Sequence, residues 1–238
     1  MATHRSIVVL SGAGVSAESG ISTFRGVNGL WNNHRIEEVA SPEGFARDPD
    51  LVHRFYNLRR RQLLDPQTRP NAAHLALARL ERSFPGEFLL VTQNIDDLHE
   101  RAGSSRLIHM HGELLKARCG ACETVAVRYD DIDSADTCGH CGARRALRPH
   151  VVWFGEMPMR LEEIYTALGG CDLFLAVGTS GHVHPAAGFV DVARRAGAAT
   201  VEVNLETSVT ESMFQRRILG AAAAVLPVLV DELLDGTG

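Results

Sequence analysis

Ile7-Val8-Val9-Leu10-Ser11-Gly12-Ala13-Gly14-Val15-Ser16-Ala17-Glu18-Ser19-Gly20-Ile21-Ser22-Thr23-Phe24-Arg25 decides how the rest of the chain is read. The apolar run Ile7 to Leu10 is long enough for one buried strand. A glycine turn follows at once, and then the start of a helix. That order places backbone N–H groups at a helix N-terminus, where a diphosphate binds well. Gly12 and Gly14 suit a tight turn and the close approach of a phosphate. The third glycine comes late, at Gly20, and Phe24-Arg25 follows a second loop. This departs from the ordinary dehydrogenase fingerprint.

Further strands follow the same rule. Phe88 to Val91 ends in Thr92-Gln93-Asn94-Ile95-Asp96-Asp97, and Leu107 to Met110 delivers His111-Gly112. Leu173 to Val177 ends in Gly178-Thr179-Ser180, and Thr200 to Val203 ends in Asn204-Leu205-Glu206. A last strand is expected near Ala224 to Leu226, leading through Pro227 into a C-terminal helix. Helices are predicted from about Asp50 to Leu64, from Ala72 to Ser83 with Asn71 as N-cap, and from Pro185 to Ala196. In the second of these, Leu75, Ala76, Leu80 and Phe84 have helical spacing. Strands alternating with helices give an α/β fold with a mostly parallel sheet. In such a sheet, polar residues just beyond the strand ends are the site candidates.

Between Leu114 and Pro149 this pattern breaks. Cys119-x-x-Cys122 and Cys138-x-x-Cys141 are separated by fifteen residues. Four thiolates at this spacing can close a tetrahedral zinc site with no open position, which reads as structural zinc. His140 is expected outside the ligand set, and Cys171 as a small buried hydrophobe.

The chain has 238 residues, of which 45% are hydrophobic, enough for one substantial domain carrying a smaller module. A formal net charge of −5 argues against a life on nucleic acid. No apolar run approaches a membrane span, and no signal segment precedes the first strand, so a cytoplasmic protein is expected.

Taken in order, Gly12-Ala13-Gly14-x-Ser16-x-x-Ser19-Gly20-Ile21-x-x-Phe24-Arg25, Thr92-Gln93-Asn94-Ile95-Asp96, His111-Gly112, the four cysteines and Gly178-Thr179-Ser180 resemble the sirtuins. The resemblance covers nearly the whole chain and is closest to the bacterial CobB type. Further matches are Phe55-Tyr56-Asn57-x-Arg59, Asn71-Ala72-Ala73-His74 and Arg148 to Glu156. It implies a Rossmann-like sheet with helices on both faces, over residues 1–26, 71–113 and 150–238. It also implies a small domain made of a helical module, 27–70, and a zinc ribbon, 114–149.

The resemblance implies an NAD-consuming protein-lysine deacylase with one structural zinc. Gly12, Ala13, Gly14, Ser16, Ala17, Gly20, Phe24, Arg25 and Trp31 would meet NAD. So would Gln93, Asn94, Ile95 and Asp96 around the ribose and nicotinamide, and Gly178, Thr179, Ser180, Asn204, Leu205, Glu206 and Ala222 at the adenosine end. In the family reaction the acyl-lysine oxygen displaces nicotinamide, and His111 acts as general base on the ribose hydroxyls. Asn94 and Asp96 would assist at the carboxamide or an ordered water. Products are nicotinamide, O-acyl-ADP-ribose and free lysine.

Acyl-lysine peptides would pair with Val152, Phe154, Gly155 and Glu156 by strand addition. Tyr56 and Arg59 match the pair that desuccinylating and demalonylating sirtuins place at the end of the acyl channel, and Ala40 matches the small residue that gives it room. Removal of acetyl, succinyl and malonyl groups is therefore expected, by a monomer or weak oligomer that binds neither nucleic acid nor membrane. Competing readings are an NAD-dependent dehydrogenase, a zinc-ribbon regulator of transcription, and a protein ADP-ribosyltransferase using the same NAD site.

Overall fold

The computed structural model describes residues 4–22, 30–31, 34–206, 208–210 and 213–236. Its strands are β1 (Ser6–Ser11), β2 (Leu30–Trp31), β3 (His34–Arg35), β4 (Glu87–Thr92), β5 (Leu107–His109), β6 (Gly112–Cys119), β7 (Val125–Val127), β8 (Leu147–Val151), β9 (Leu173–Val177), β10 (Ala199–Asn204) and β11 (Arg216–Leu219). Its helices are α1 (Ile36–Val39), α2 (Pro42–Arg47), α3 (Pro49–Leu64), α4 (Ala72–Ser83), α5 (Leu98–Ala102), α6 (Leu161–Gly170), α7 (Phe189–Arg195) and α8 (Ala222–Asp235).

Six strands form one sheet in the order β11-β10-β9-β1-β4-β5, and every pairing in it is parallel. The apolar run of β1 explains its central place. Ile7 and Val9 enter one core with residues of α4 and α8, while Val8 and Leu10 enter a second with residues of α6 and α7. A strand buried on both faces needs a continuous apolar run rather than an alternating one. From β1 the chain builds outward to β4 and β5 on one side and to β9, β10 and β11 on the other. The order reverses between β1 and β9, which sets the crevice at their carboxyl ends.

A second sheet, β7-β6-β8, is antiparallel and carries the cysteine insert. It begins directly after His111, because Gly112 pairs with Val151. Gly112 has φ +81, and a Cβ there would lie 2.2 Å from the His150 carbonyl oxygen, so the strand can start there only with glycine. A third core joins this sheet to the helical segment through Val39, Phe55, Tyr56, Leu98, Leu114, Val151 and Trp153.

Three expectations are corrected. The segment around Ala224 to Leu226 is not a strand but lies inside α8. Ala222, Leu226, Leu229 and Val230 are its buried residues, and this is helical spacing. The last strand is instead β11, an edge strand of sequence Arg-Arg-Ile-Leu with little buried, so it has no apolar run to betray it. After Gly12 the chain forms two single 3-10 turns, Ala13–Val15 and Ala17–Ser19, in place of an α-helix. On α4, Leu75 faces outward at 54% exposure, and the buried face is carried by Ala73, Ala76, Leu77 and Leu80.

Asn71 caps α4 as expected, accepting from the Ala73 amide, and its Nδ2 donates to the Val15 carbonyl and to Ser19 Oγ. One side chain thus starts a helix and pins the turn after β1. Asn71→Ala should cost about 1 kcal/mol for the cap alone, lowering the melting temperature by about 2–4 °C for a chain of this size. Differential scanning calorimetry checks this; an unchanged melting temperature would show that the cap carries no weight.

Candidate functional site

The carboxyl ends of the six strands meet in one polar cluster. Its floor is glycine against glycine. A Cβ on Gly12 would lie 2.7 Å from the Gly178 carbonyl oxygen, and one on Gly14 would lie 2.7 Å from Gly178 Cα. Gly178 itself has φ +62. The three glycines therefore let the loops after β1 and β9 touch, which is a demand beyond any phosphate approach. The Gly12 amide donates to the Val177 carbonyl and the Gly14 amide to the Gly178 carbonyl, both at 2.9 Å. The Val15 and Ser16 amides donate within the turn itself. Most of the amides that the sequence offered to a diphosphate thus already hold the turn.

Gln93 and Asn204 tie this floor to its neighbours. Gln93 Nε2 donates to Thr179 Oγ1 at 3.0 Å, and Asn204 Nδ2 donates to the Thr179 carbonyl at 2.7 Å. Leu205 and Glu206 follow on a bend after β10, and Ser180 lies beyond Thr179. Ala222 is the first residue of α8, where the Ala223 amide donates to Glu18 Oε2.

Beneath the floor, Ser16 is the hub. Its hydroxyl donates to Asp96 Oδ2 at 2.9 Å and accepts from Asn94 Nδ2 at 3.1 Å. Asn94 Nδ2 also donates to the Gly12 carbonyl, so the loop after β4 is bonded to the turn after β1. His74 Nδ1 accepts the Asn71 amide, which leaves Nε2–H facing Ser16 Oγ at 3.5 Å. Burial pushes the His74 pKa down to about 4, so the ring is neutral. Burial pushes Asp96 up to about 6, against the opposing bonds from the Leu98 amide and Ser16. His99, Ser11 and Thr92 complete this layer. Ser11 Oγ donates to Thr92 Oγ1 and accepts from His99 Nε2, each at 2.9 Å.

His111 stands at the sheet edge, partly buried. Its Nδ1 lies 3.0 Å from the Gln93 carbonyl oxygen, an acceptor only, so Nδ1 carries the proton. Nε2 is then the basic nitrogen. Burial lowers the His111 pKa, which keeps the ring neutral near pH 7 and able to take a proton.

The segment after β8 is a turn rather than an extended strand, with Gly155 at φ +90. The Val152 amide donates to the His111 carbonyl and the Phe154 amide to the Ala40 carbonyl. Glu156 accepts two bonds from Arg148 and one from the Trp153 amide, so its carboxylate shapes the segment. Trp153 is buried, while Phe154 is 48% exposed.

Tyr56 is buried next to Trp153, whose Nε1 donates to the Tyr56 oxygen at 3.0 Å. Arg59 Nη1 donates to the Phe55 carbonyl, and its guanidinium carbon lies 3.2 Å over the Phe55 ring. Burial pulls the Arg59 pKa down to about 10, which still leaves it charged. Leu58 is 59% exposed, and the packing face of α3 is Val52, Phe55, Tyr56 and Leu63. Phe24 and Arg25 fall outside the described residues, and of Trp31 only the backbone, in β2, is described.

The four cysteines converge. Sγ of Cys119 lies 3.8 Å from that of Cys141, Cys122 and Cys138 are likewise 3.8 Å apart, and all four lie within 4.8 Å of one another. A zinc at about 2.3 Å from each sulfur requires edges of about 3.8 Å, so the set fits a closed tetrahedral ion. His140 is exposed and takes no part, and Cys171 is buried by itself.

Sequence reasoning passed over His99 and His109 and gave no role to Ser11. Ser11 ends β1 and reads there as part of the glycine turn, while His99 lies in α5, outside every motif. His109 carried one signal: it stands two residues before His111, the spacing at which neighbours along a strand share a face.

A parallel sheet with its polar cluster at the switch point, joined to a four-cysteine module, defines an α/β protein of the class that binds ligands at that crevice. The Sir2 family profile matches residues 12–185, and the chain belongs to the Sir2 family. It is 59% identical over 231 residues to an "NAD-dependent protein deacylase" of Vibrio vulnificus, covering 97% of this chain and 94% of that one. A solved Sir2 homologue–NAD complex superposes with a TM-score of 0.89 at 39% identity, covering 99% of this chain and 91% of the other. Sir2Af2 bound to a myristoylated histone peptide superposes at 0.76 with 34% identity, covering 98% and 93%.

Two predictions follow from this geometry. Purified protein should carry one zinc per chain, and Cys→Ser at 119, 122, 138 or 141 should lose it and unfold the insert; elemental analysis showing no zinc in well-folded protein would contradict this. The second concerns Asp96. Its pKa is raised from 3.8 unfolded to about 6 folded, so the native state holds its proton more tightly, and stability falls as pH rises through that window. Asp96→Asn should therefore stabilise by about 1–2 kcal/mol near pH 7.5, with the gain vanishing near pH 4. A gain that is the same at both pH values would contradict the assignment.

Proposed function

We propose that the chain is an NAD-dependent protein-lysine deacylase that removes acetyl groups and also succinyl and malonyl groups. The observation that carries the reading is His111: a neutral imidazole at the sheet's carboxyl edge, its tautomer fixed by the Gln93 carbonyl, with Nε2 as the base. NAD supplies an activated ribose carbon that the acyl oxygen of the modified lysine can attack. The protein's part is to orient and to move protons.

In this reading the diphosphate lies over the Gly12–Ser16 turn, and Phe24, Arg25 and Trp31 join the NAD contacts as the resemblance implies. The adenosine end lies toward Thr179, Ser180, Asn204, Leu205 and Glu206, and the nicotinamide end toward Gln93–Asp96. Ser16 bonds both Asp96 and Asn94, which supports a role for the two together at the nicotinamide end. A loop anchored from below in this way binds with little reorganisation, which is the main source of a positioning advantage. His111 Nε2 takes the proton of a ribose hydroxyl as that oxygen attacks the acyl carbon. The ring's lowered pKa keeps the base form populated at neutral pH. Peptide backbone would run beside Val152 to Gly155, with the exposed Phe154 as part of the rim.

Acyl choice rests on α3. Ala40 and Tyr56 are buried in one core cluster beneath the 152–156 segment, and Arg59 lies one turn further along the helix. Tyr56 accepts from Trp153 and is a donor in its own right. Arg59 presents a fork suited to a carboxylate. Charge-assisted bonds of this kind contribute about 1.5–3 kcal/mol each, enough to favour a succinyl over an acetyl group. Acetyl-lysine lacks the carboxylate and still fits.

His111→Ala should retain the fold and zinc and lose about 100-fold or more in deacylation; activity within a few-fold of wild type would overturn the reading. Arg59→Met with Tyr56→Phe should cut desuccinylation at least tenfold and leave deacetylation within about threefold. Because Tyr56→Phe also strips the acceptor from the Trp153 N–H, Arg59→Met alone is the cleaner variant. Parallel loss of both activities in Arg59→Met would make the arginine structural.

A further inference from the structure

In the loop that carries Gln93, Asn94 and Asp96, four successive carbonyls, 92 to 95, face donors from the segment 109–114. The Met110 amide donates to the Thr92 carbonyl, and His111 Nδ1 donates to the Gln93 carbonyl. His109 Nδ1 lies 3.2 Å from the Asn94 carbonyl, and the Leu114 amide donates to the Ile95 carbonyl. Three of these donors are fixed by the backbone or by the base already described. The fourth, His109, is held by an ion pair of its own: Nε2 lies 2.6 Å from Glu100 Oε1 on α5. Both ring nitrogens face acceptors, so the geometry calls for an imidazolium with two protons. The side chain is 9% exposed, which keeps water from competing for either bond.

We propose that His109, braced by Glu100, is a positioning residue for cleavage of NAD: it clamps the Asn94 carbonyl and so fixes the loop against the nicotinamide end. The inference rests on the deacylase reading above.

The charged surroundings are consistent with this role. Glu100, Glu113 and the Asn94 carbonyl favour the charged ring against its burial, and the His109 pKa is raised. His99 carries no charge here, burial holding its pKa well below the ordinary value. Lys116 pairs with Glu113 at 2.6 Å, and Arg160 lines the same surface hollow. Glu100, His109 and Glu113 place donor atoms within 4.8 Å of one another, but both carboxylates already have cationic partners, so the trio reads as an ion-pair network and not a metal site. The positive charge on His109 also favours the ionised form of Asp96, which burial opposes.

The test uses the full-length, zinc-loaded protein and three variants, His109→Leu, His109→Asn and Glu100→Gln. Steady-state kinetics with an acetyl-lysine peptide are recorded across pH, with melting temperature, zinc content and ADP-ribose calorimetry alongside. His109→Leu removes the clamp and should lower kcat/KM for NAD about tenfold, with the peptide KM within about twofold. An asparagine amide can occupy the place of Nδ1–H, so His109→Asn should recover kcat/KM to within about threefold at alkaline pH. Loss of the charge, in His109→Asn and in Glu100→Gln, should let Asp96 take up its proton earlier and move the acid limb of the NAD profile up by about half a unit. If His109→Leu fails to fold, the other two variants carry the test. An unmoved acid limb, or His109→Asn no better than a leucine, or equal losses in NAD and peptide terms, overturns the proposal. A wild-type protein that does not consume NAD with the peptide overturns the deacylase reading instead, and ADP-ribose calorimetry on the same variants still reports on the clamp.

Discussion

Everything at this site depends on the contact of two backbone loops with no side chain between them. Gly12 and Gly14 lie against Gly178 at distances that a methyl group could not share. The reversal of strand order between β1 and β9 puts the loops side by side, and the glycines let them close. Closure brings the Gly12 carbonyl to Asn94 and the hydroxyl of Ser16 to Asp96. From there the bonds continue to His74, Asn71 and the start of α4. This edge of the sheet is therefore tied from below, and the same polar layer is part of the domain's interior.

That interior has an electrostatic character of its own. The buried histidines 74 and 99 are neutral, and Asp96 is a carboxylate kept in a place that resists its charge. Such an arrangement costs stability at neutral pH. The cost is concentrated on the residue nearest the reacting end of the nucleotide in the proposed function, where a poised carboxylate is useful. His111 and His109 both face carbonyls of the loop after β4 but differ in state. The first is neutral, with a carbonyl behind it. The second has acceptors on both sides, so the first is suited to accept a proton and the second to hold a carbonyl.

Much of this was legible in the sequence because every strand of the main sheet except β11 announces itself. Ile7 to Leu10 and Leu173 to Val177 are unbroken apolar runs, and the residues just past them had to lie at the ligand-facing edge. The cysteine pairs were legible for a different reason, since their spacing leaves few geometries. What sequence could not show was where burial is partial. β11 is an edge strand with two arginines, and α8 has a proline inside it, so the last strand was expected within the start of α8 and β11 was passed over. The glycines after β1 stood out in the sequence for the approach of a phosphate, and the structure adds a demand of its own, because their nearest neighbour is another glycine loop. His99 and the role of Ser11 stayed hidden because a buried polar network leaves no period in a sequence. The side chains of α3 show the same limit: the match of Tyr56 and Arg59 to a family pair gave no sign that the Trp153 N–H already uses the Tyr56 oxygen.

The central claim is that this chain splits NAD and hands its ADP-ribose to the acyl group of a lysine, with His111 as base. Mass analysis of the products formed from NAD and an acetyl-lysine peptide tests it most directly. The account requires free nicotinamide, deacetylated peptide and O-acetyl-ADP-ribose in equal amounts. Reduced nicotinamide cofactor, ADP-ribose attached to protein with the peptide still acetylated, or NAD left intact would contradict it.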